Sequence, residues 1–146
     1  MPAPLQSAAI QSRLRTARIA HLATIDSAQR PHLVPICFVY DHGAFYSPID
    51  RKPKRVAAEQ LARVRNVKAN SQVALMVDHY SENWARLWYI QVRGTAKLLA
   101  GTAKPERARA IRLLRAKYAQ YDRTMLPEDA PILRVSAEHV IFWGRL

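Results

Sequence analysis

The order of periodic segments predicts a mainly β domain with inserted helices (α+β), its strands mostly antiparallel and curled into a small barrel. Three observations carry this expectation. Apolar residues alternate with a period of two in several segments, as in Val34, Ile36, Phe38 and Tyr40 or Val73, Leu75 and Val77. Helical spacing is confined to three stretches, near 7–18, 50–70 and 105–121. The connections between β-like segments are short and lack the strict strand–helix–strand alternation of a parallel sheet. Six or so strands, with a helix crossing between hairpins, are best accommodated by a barrel closed so that few edges remain.

Ser7 to Arg18 reads as a helix, because Ile10, Leu14 and Ala17 fall at i, i+4 and i+7. Ile19 to Ile25 is short and apolar and ends at the turn signal Asp26–Ser27. Pro31 to Tyr40 alternates, and Asp41–His42–Gly43 closes it as a hairpin turn into Ala44–Pro48. These three strands are expected to form an antiparallel meander. Asp50 to Asn70 is a second helix, with Pro53 in its first turn, Asp50 as its cap and Ala57, Leu61 and Val64 as its stripe. Gln72 to Tyr80 is a strand. His79 to Arg86 is a polar loop, and Leu87 to Leu99 is a long strand in which Gly94 marks a bulge or bend. Pro105 opens a third helix reaching Tyr121. Its buried face is Ala110, Ile111, Leu114, Tyr118 and Tyr121, with Arg107, Arg109, Arg112 and Arg115 directed away. After the loop Pro127–Pro131, Ile132–Ser136 and His139–Trp143 are a last pair of strands or one bent strand.

The 146 residues suit one domain, 1–146, and 49% hydrophobic residues against 23% charged ones exclude a disordered chain. No apolar run approaches the roughly 18 residues of a membrane span. The N-terminus lacks a signal-peptide pattern. Cys37 stands alone, which excludes a disulfide framework or cysteine-based zinc site and makes a reducing cytoplasm the expected setting. It is expected mid-strand as an inert core thiol. Lys and Arg total 23 against 11 acids, a net charge of +12, so an anionic ligand is expected.

Two segments carry candidate chemistry. In Ser47–Arg55 a strand ends and a helix begins, with Arg51, Lys52, Lys54 and Arg55 at the junction. Cations there oppose the helix dipole and one another, so a bound phosphate-type anion is the simplest compensation. In His79–Tyr89 the aromatics Tyr80, Trp84, Trp88 and Tyr89 surround Arg86, a composition suited to interfaces and flat ligands or to core packing. The five histidines show no metal-ligand spacing, and no motif proposes a Ser or Cys nucleophile. An enzyme built this way depends on a cofactor for its chemistry.

At these residues the chain resembles a known family. Ala20-His-Leu-Ala-Thr-Ile-Asp26, Arg30-Pro-His-Leu-Val-Pro-Ile36, Lys52-Pro-Lys54 and Val73-Ala-Leu-Met-Val77 resemble the pyridoxamine 5′-phosphate oxidase-like flavoproteins. Their fold is the FMN-binding-like split β-barrel. Asp78-His-Tyr-Ser-Glu-Asn-Trp-Ala-Arg-Leu-Trp88 followed by Val92-Arg-Gly94 is similar to a narrower subgroup, the deazaflavin (coenzyme F-420)-dependent oxidoreductases. The resemblance spans about residues 8 to 146. It implies a homodimer with two cofactor sites at the subunit interface and a small-molecule substrate; no nucleic-acid or membrane partner is expected, since the chain shows neither an RNA-binding motif nor a membrane-length apolar run. The ring would lie against His32, Val34, Pro35 and Ile36. The phosphate would meet Ser47, Lys52, Lys54 and Arg55, with Lys54 foremost. The second chain would add Tyr80, Arg86 and Trp88. No side chain need be catalytic, since the ring carries the hydride. The polyanionic deazaflavin coenzyme suits the excess of cations better than FMN, which is the alternative, as is a non-catalytic flavin- or tetrapyrrole-binding protein. The chain lacks the C-terminal extension that pyridoxamine-phosphate oxidases use, so another substrate is expected.

Overall fold

The computed structural model describes residues 1–49, 54–101 and 104–146, with the backbone alone over 54–61. The elements run α1 (Ala8–Thr16), β1 (Ala20–Ile25), β2 (Pro31–Ile36), β3 (Val39–Asp41), β4 (Ala44–Pro48), α2 (Lys54–Ala69), β5 (Gln72–His79), β6 (Trp88–Leu99), α3 (Lys104–Lys117) and β7 (Ile132–Gly144). Short 3-10 turns cover Ala3–Gln6 and Trp84–Arg86. The strands form one antiparallel sheet in the order β2-β1-β5-β6-β7-β4-β3, curled into a half-barrel. The α+β split-barrel expectation holds, with seven strands in place of six or so. No helix among the described residues is long and apolar enough to cross a membrane.

Two cores flank the curled sheet. The inner one gathers Leu5, Ile10 and Leu14 from the N-terminal helices against Leu22, Val34, Phe38, Phe45, Leu75, Ile90 and Val92. The second lies under α3, where Ala110, Ile111 and Leu114 meet Val39, Tyr46, Leu99 and Ile132. Strand alternation explains the division: Tyr40 and Phe45 face inward while their neighbours Val39 and Tyr46 face α3. Ser7 caps α1 by accepting from the Ile10 amide at 3.4 Å. The turn His42–Gly43 has φ of 48° and 83°, the positive values a two-residue hairpin loop demands.

The expected meander does not form. β1 pairs with β2 and β3 pairs with β4, but β2 and β3 lie at opposite edges of the sheet, and the barrel is not closed. The chain leaves one hairpin for the other at Cys37–Phe38. The apolar alternation continues through the break, since Val34, Ile36, Phe38 and Tyr40 are all buried. What changes is the partner of the backbone. The Phe38 amide donates to Tyr118 Oη at 3.0 Å, and its carbonyl accepts from Lys117 Nζ at 2.9 Å. Side chains at the end of α3 thus replace the ladder. Cys37 consequently sits half-buried at this break, not in mid-strand. Pro31 and Pro35 are tolerated in β2 because it is an edge strand.

Burial first, and the charge of Arg18 next, lower the Lys117 pKa to about 8. The unfolded chain holds this proton up to about pH 10.5. The charged amine therefore penalises the fold fully below about pH 8, and the penalty is relieved as pH rises through 8 to 10.5, where the unfolded state binds more protons. Discounted for partial exposure, the gain is about 1–2 kcal/mol. Stability to urea is expected to rise between pH 8 and 10, and Lys117→Met should flatten that rise. A profile unchanged by the substitution would refute it.

Other departures are local. α3 ends at Lys117, and Tyr118 and Tyr121 are buried in the turn beyond it. Arg107, expected to point away, is buried and donates to the Asp129 carbonyl at 3.2 Å. Arg115 binds the Leu126 carbonyl at 2.6 Å and Glu128 at 2.7 Å, which holds the 122–131 loop against α3. The last two strands are one, β7, bent by a bulge: Arg93 pairs with His139 and Gly94 with Ala137, which leaves Glu138 as the extra residue. In α2, Val64 is half-buried, and the buried positions among the described side chains are Arg63, Asn66 and Val67; the expected positions Ala57 and Leu61 lie outside the described side chains.

Candidate cofactor site

β2 alternates as its sequence requires. Val34 and Ile36 face the core, His32 shares their parity and is half-buried, and Leu33 and Pro35 face outward. His32 pairs with Thr24 of β1. Thr24 is 1% exposed, and its hydroxyl accepts from Asn66 Nδ2 of α2 at 3.0 Å. This buried polar pair ties α2 to the sheet beside His32. His32 Nδ1 is enclosed with no hydrogen-bond partner among the described residues. Such an atom costs about 1–3 kcal/mol unless something satisfies it. Thr24 and Asn66 escaped the sequence reading. The available signal was parity: Thr24 is a polar residue in register with Ala20 and Leu22, both buried.

The residues expected to meet a phosphate fall on β4, at the start of α2 and between them. Ser47 is 3% exposed and pairs with Leu133 of β7. Following the pairings across the sheet, Ser47 and His32 lie toward the same end. Lys54 and Arg55 occupy the first turn of α2, their side chains outside the description, and Lys52 lies outside the described residues with Asp50, Arg51 and Pro53.

Tyr80, Arg86 and Trp88 are at the other end. Leu33 is level with Ala23, Ala74 and Arg93, and Trp88 stands five residues along β6 from Arg93. That is roughly 17 Å at about 3.4 Å per residue. One chain therefore does not bring these residues to His32. Tyr80 is 63% exposed, and Arg86 is exposed. Trp88 is half-buried and already engaged in its own chain. It stacks on His79 with centroids 6.0 Å apart, and the Arg13 guanidinium lies 5.0 Å over its ring and 5.4 Å over Phe142.

The outer face of the sheet is unusually apolar. Leu33, Met76, Ile141 and Trp143 are exposed, and Trp143 stacks on Tyr89 at 5.8 Å. The pairings Ala23–Ala74, Met76–Gln91 and Gln91–Ile141 make the surface continuous across β1, β5, β6 and β7. A hollow of about 340 Å³ opens on it between His21, Leu33, Met76 and Gln91.

The curled antiparallel sheet is that of a split-barrel protein, and its edge strand β2 carries an enclosed imidazole nitrogen without a partner among the described residues. The chain belongs to the pyridoxamine 5′-phosphate oxidase family, whose model matches residues 7–144. Among solved structures it is similar to a FAD-binding protein from Mesorhizobium loti, at 21% identity over 93% of each chain, with a TM-score of 0.66. It is similar to the haem-storage protein HutZ from Vibrio cholerae, at 17% identity over 99% of this chain and 95% of that one, with a TM-score of 0.70. A third is an F420 reductase, at 21% identity over 90% of this chain and 94% of that one, with a TM-score of 0.62. No curated protein matches the chain.

Proposed function

We propose that the chain is an oxidoreductase that binds a flavin-type ring, the deazaflavin coenzyme F-420, and reduces a small organic substrate. The observation that carries this reading is the orphaned, enclosed His32 Nδ1 on β2, the strand that the resemblance assigns to the ring. A ring seated on β2 with a polar edge atom would give that nitrogen a partner once the imidazole turns it outward, and in that sense the residues present fit the group. His32, Val34, Pro35 and Ile36 would hold the ring edge, and Ser47, Lys52, Lys54 and Arg55 the phosphate. Bound there, the ring supplies hydride transfer. The side chains bind it, orient it and keep water from its face. The F420 reductase and the FAD-binding neighbour support a ring of this class.

A second copy of the chain completes the site. Exposed apolar residues on the outer sheet face offer an interface, and Tyr80, Arg86 and Trp88 lie too far from His32 to serve their own chain's site. The second copy's hairpin would supply them. Sedimentation at micromolar concentration is expected to give the mass of two chains, and Met76→Glu to give one. A wild-type chain that sediments as a monomer excludes the shared site.

The deciding experiment is titration of the purified protein with F-420, FMN and haem. F-420 is expected to bind tightest, and Lys54→Ala to weaken it about tenfold or more by removing a charge-assisted bond to phosphate. Turnover at saturating cofactor should change far less, because the phosphate is remote from the reacting ring. His32→Leu should weaken binding of the ring while leaving phosphate-dependent affinity in place. FMN binding tightest would move the reading to the flavin alternative. Haem binding alone, with no affinity for either ring, would overturn it in favour of a tetrapyrrole-binding protein.

A further inference from the structure

Residues of α1, the β3–β4 hairpin and α3 line an open cavity of about 530 Å³. It does not include the residues assigned to the ring or its phosphate. Its cations are Arg15 of α1 with Arg109 and Lys117 of α3, and its apolar lining is Val39 of β3 with Leu113 and Ala116 of α3. The single acid among the lining residues is Asp41, and it is already neutralised. Arg109 grips it through two bonds of 2.8 and 3.2 Å, and His42 Nδ1 lies 2.8 Å from it. Arg15 keeps a lone bond of 3.3 Å to Gln11 among the described residues, and Lys117 Nζ spends one of its three donors on the Phe38 carbonyl. Two positive charges are thus left without a carboxylate in a hollow of ligand size.

We propose that this cavity is a second ligand site, which binds a small organic oxyanion: a carboxylate or phosphate monoester carried on an apolar body. The guanidinium of Arg15 and the amine of Lys117 hold the charged head, and Val39, Leu113 and Ala116 cover the body. The head group gives Arg15 and Lys117 the counter-charge that the lining, with Asp41 held by Arg109, does not supply. It also compensates the lysine, whose charged form burial and Arg18 disfavour. The apolar wall sets this site apart from one that a bare inorganic ion would fill. The proposal is independent of which ring occupies the β2 site.

The test is titration with phenyl phosphate, benzoate and inorganic phosphate, followed by calorimetry on the wild type and on Lys54→Ala. The second background removes the phosphate contact proposed at the start of α2. Phenyl phosphate or benzoate is expected to saturate one site per chain in both backgrounds, with inorganic phosphate far weaker. Arg15→Gln should weaken the organic anion about tenfold. Ala116→Glu, which places a carboxylate at the cavity, should abolish binding. Both substitutions fall at exposed helical positions, so circular dichroism is expected to remain that of the wild type. Inorganic phosphate binding as well as phenyl phosphate would mean that only general surface charge is read, and the proposal fails. Binding lost in Lys54→Ala but intact in Arg15→Gln would place the probe at the α2 site and also overturn it.

Discussion

Gly94→Ala is expected to destabilise the fold by about 3 kcal/mol or more, at or above the usual range for overpacking. A Cβ at this position would stand 1.9 Å from the Ser136 carbonyl oxygen, 3.0 Å from its carbon and 3.4 Å from Ala137 Cα. All three atoms are backbone, so no rotamer change relieves the clash. Gly94 lies where the β6–β7 register slips, opposite Ala137 with Glu138 looped out. Moving Ser136 disturbs a second ladder as well, because it pairs with Ala44 of β4, and the Ala137 amide donates to the Gly43 carbonyl at 3.2 Å. The substitution therefore reaches β4, β6 and β7 together. A loss of this size corresponds to roughly 10 °C in melting temperature for a chain of this length. Urea unfolding of Gly94→Ala, with Thr95→Ala as the neighbouring control, measures it. A loss below about 1 kcal/mol would mean that the bulge accommodates a side chain and that the close approach is not what Gly94 serves.

Gly94 was legible in the sequence because a glycine inside a long alternating strand has few other uses. The hairpin turn His42–Gly43 was legible for a similar reason. The break at Cys37–Phe38 was not. Hydrophobic alternation runs through it without a fault, and alternation reports which face a side chain takes, not where its backbone finds partners. Those partners are Tyr118 and Lys117, some eighty residues away in the chain. The buried Arg107 was misread by the same limit: charge suggested a solvated helix face, and the carbonyl of Asp129 that satisfies it belongs to a distant loop. At the site, a strand ending in a cation-rich helix start was readable from residue types alone. That β2 is the ring's strand came from the resemblance, and the enclosed state of His32 Nδ1 came only with the fold. The separation of His32 from Tyr80 and Arg86 depends on the register of three adjacent ladders, which no local pattern specifies.

Glu106→Ala is the second substitution expected to have a large effect, a loss of about 2–3 kcal/mol at pH 7. Glu106 stands in the first turn of α3, where an acid also suits the helix dipole. Its carboxylate accepts from Tyr46 Oη of β4 at 2.9 Å and from Arg134 Nη1 of β7 at 2.8 and 3.1 Å. One side chain thus fastens α3 to two strands over the second core. Removing it leaves the Arg134 guanidinium without its carboxylate, and Arg134 Nε is already enclosed without a partner among the described residues. Breaking a fully buried pair costs about 3–5 kcal/mol. The two side chains here keep 28% and 34% of their exposure, so the lower figure applies. Glu106→Gln, which can still accept from Tyr46 but carries no charge, should lose about 1 kcal/mol. Tyr46 gives an independent reading. Burial first, and the Glu106 acceptor next, push its pKa up to about 12. A phenol held above its unfolded value stabilises the fold below pH 10, and that contribution is lost as pH rises from 10 to 12. In Glu106→Gln, Tyr46 should titrate closer to pH 10, visible as a shifted phenolate absorbance step, and the loss of stability between pH 10 and 12 should be smaller. Urea unfolding of Glu106→Ala, Arg134→Met and the double variant completes the test. The double variant should lose less than the sum of the singles, because the stranded charge that makes Glu106→Ala costly is gone. Strict additivity, with the Tyr46 titration unmoved, would show that Glu106 does not join α3 to β4 and β7.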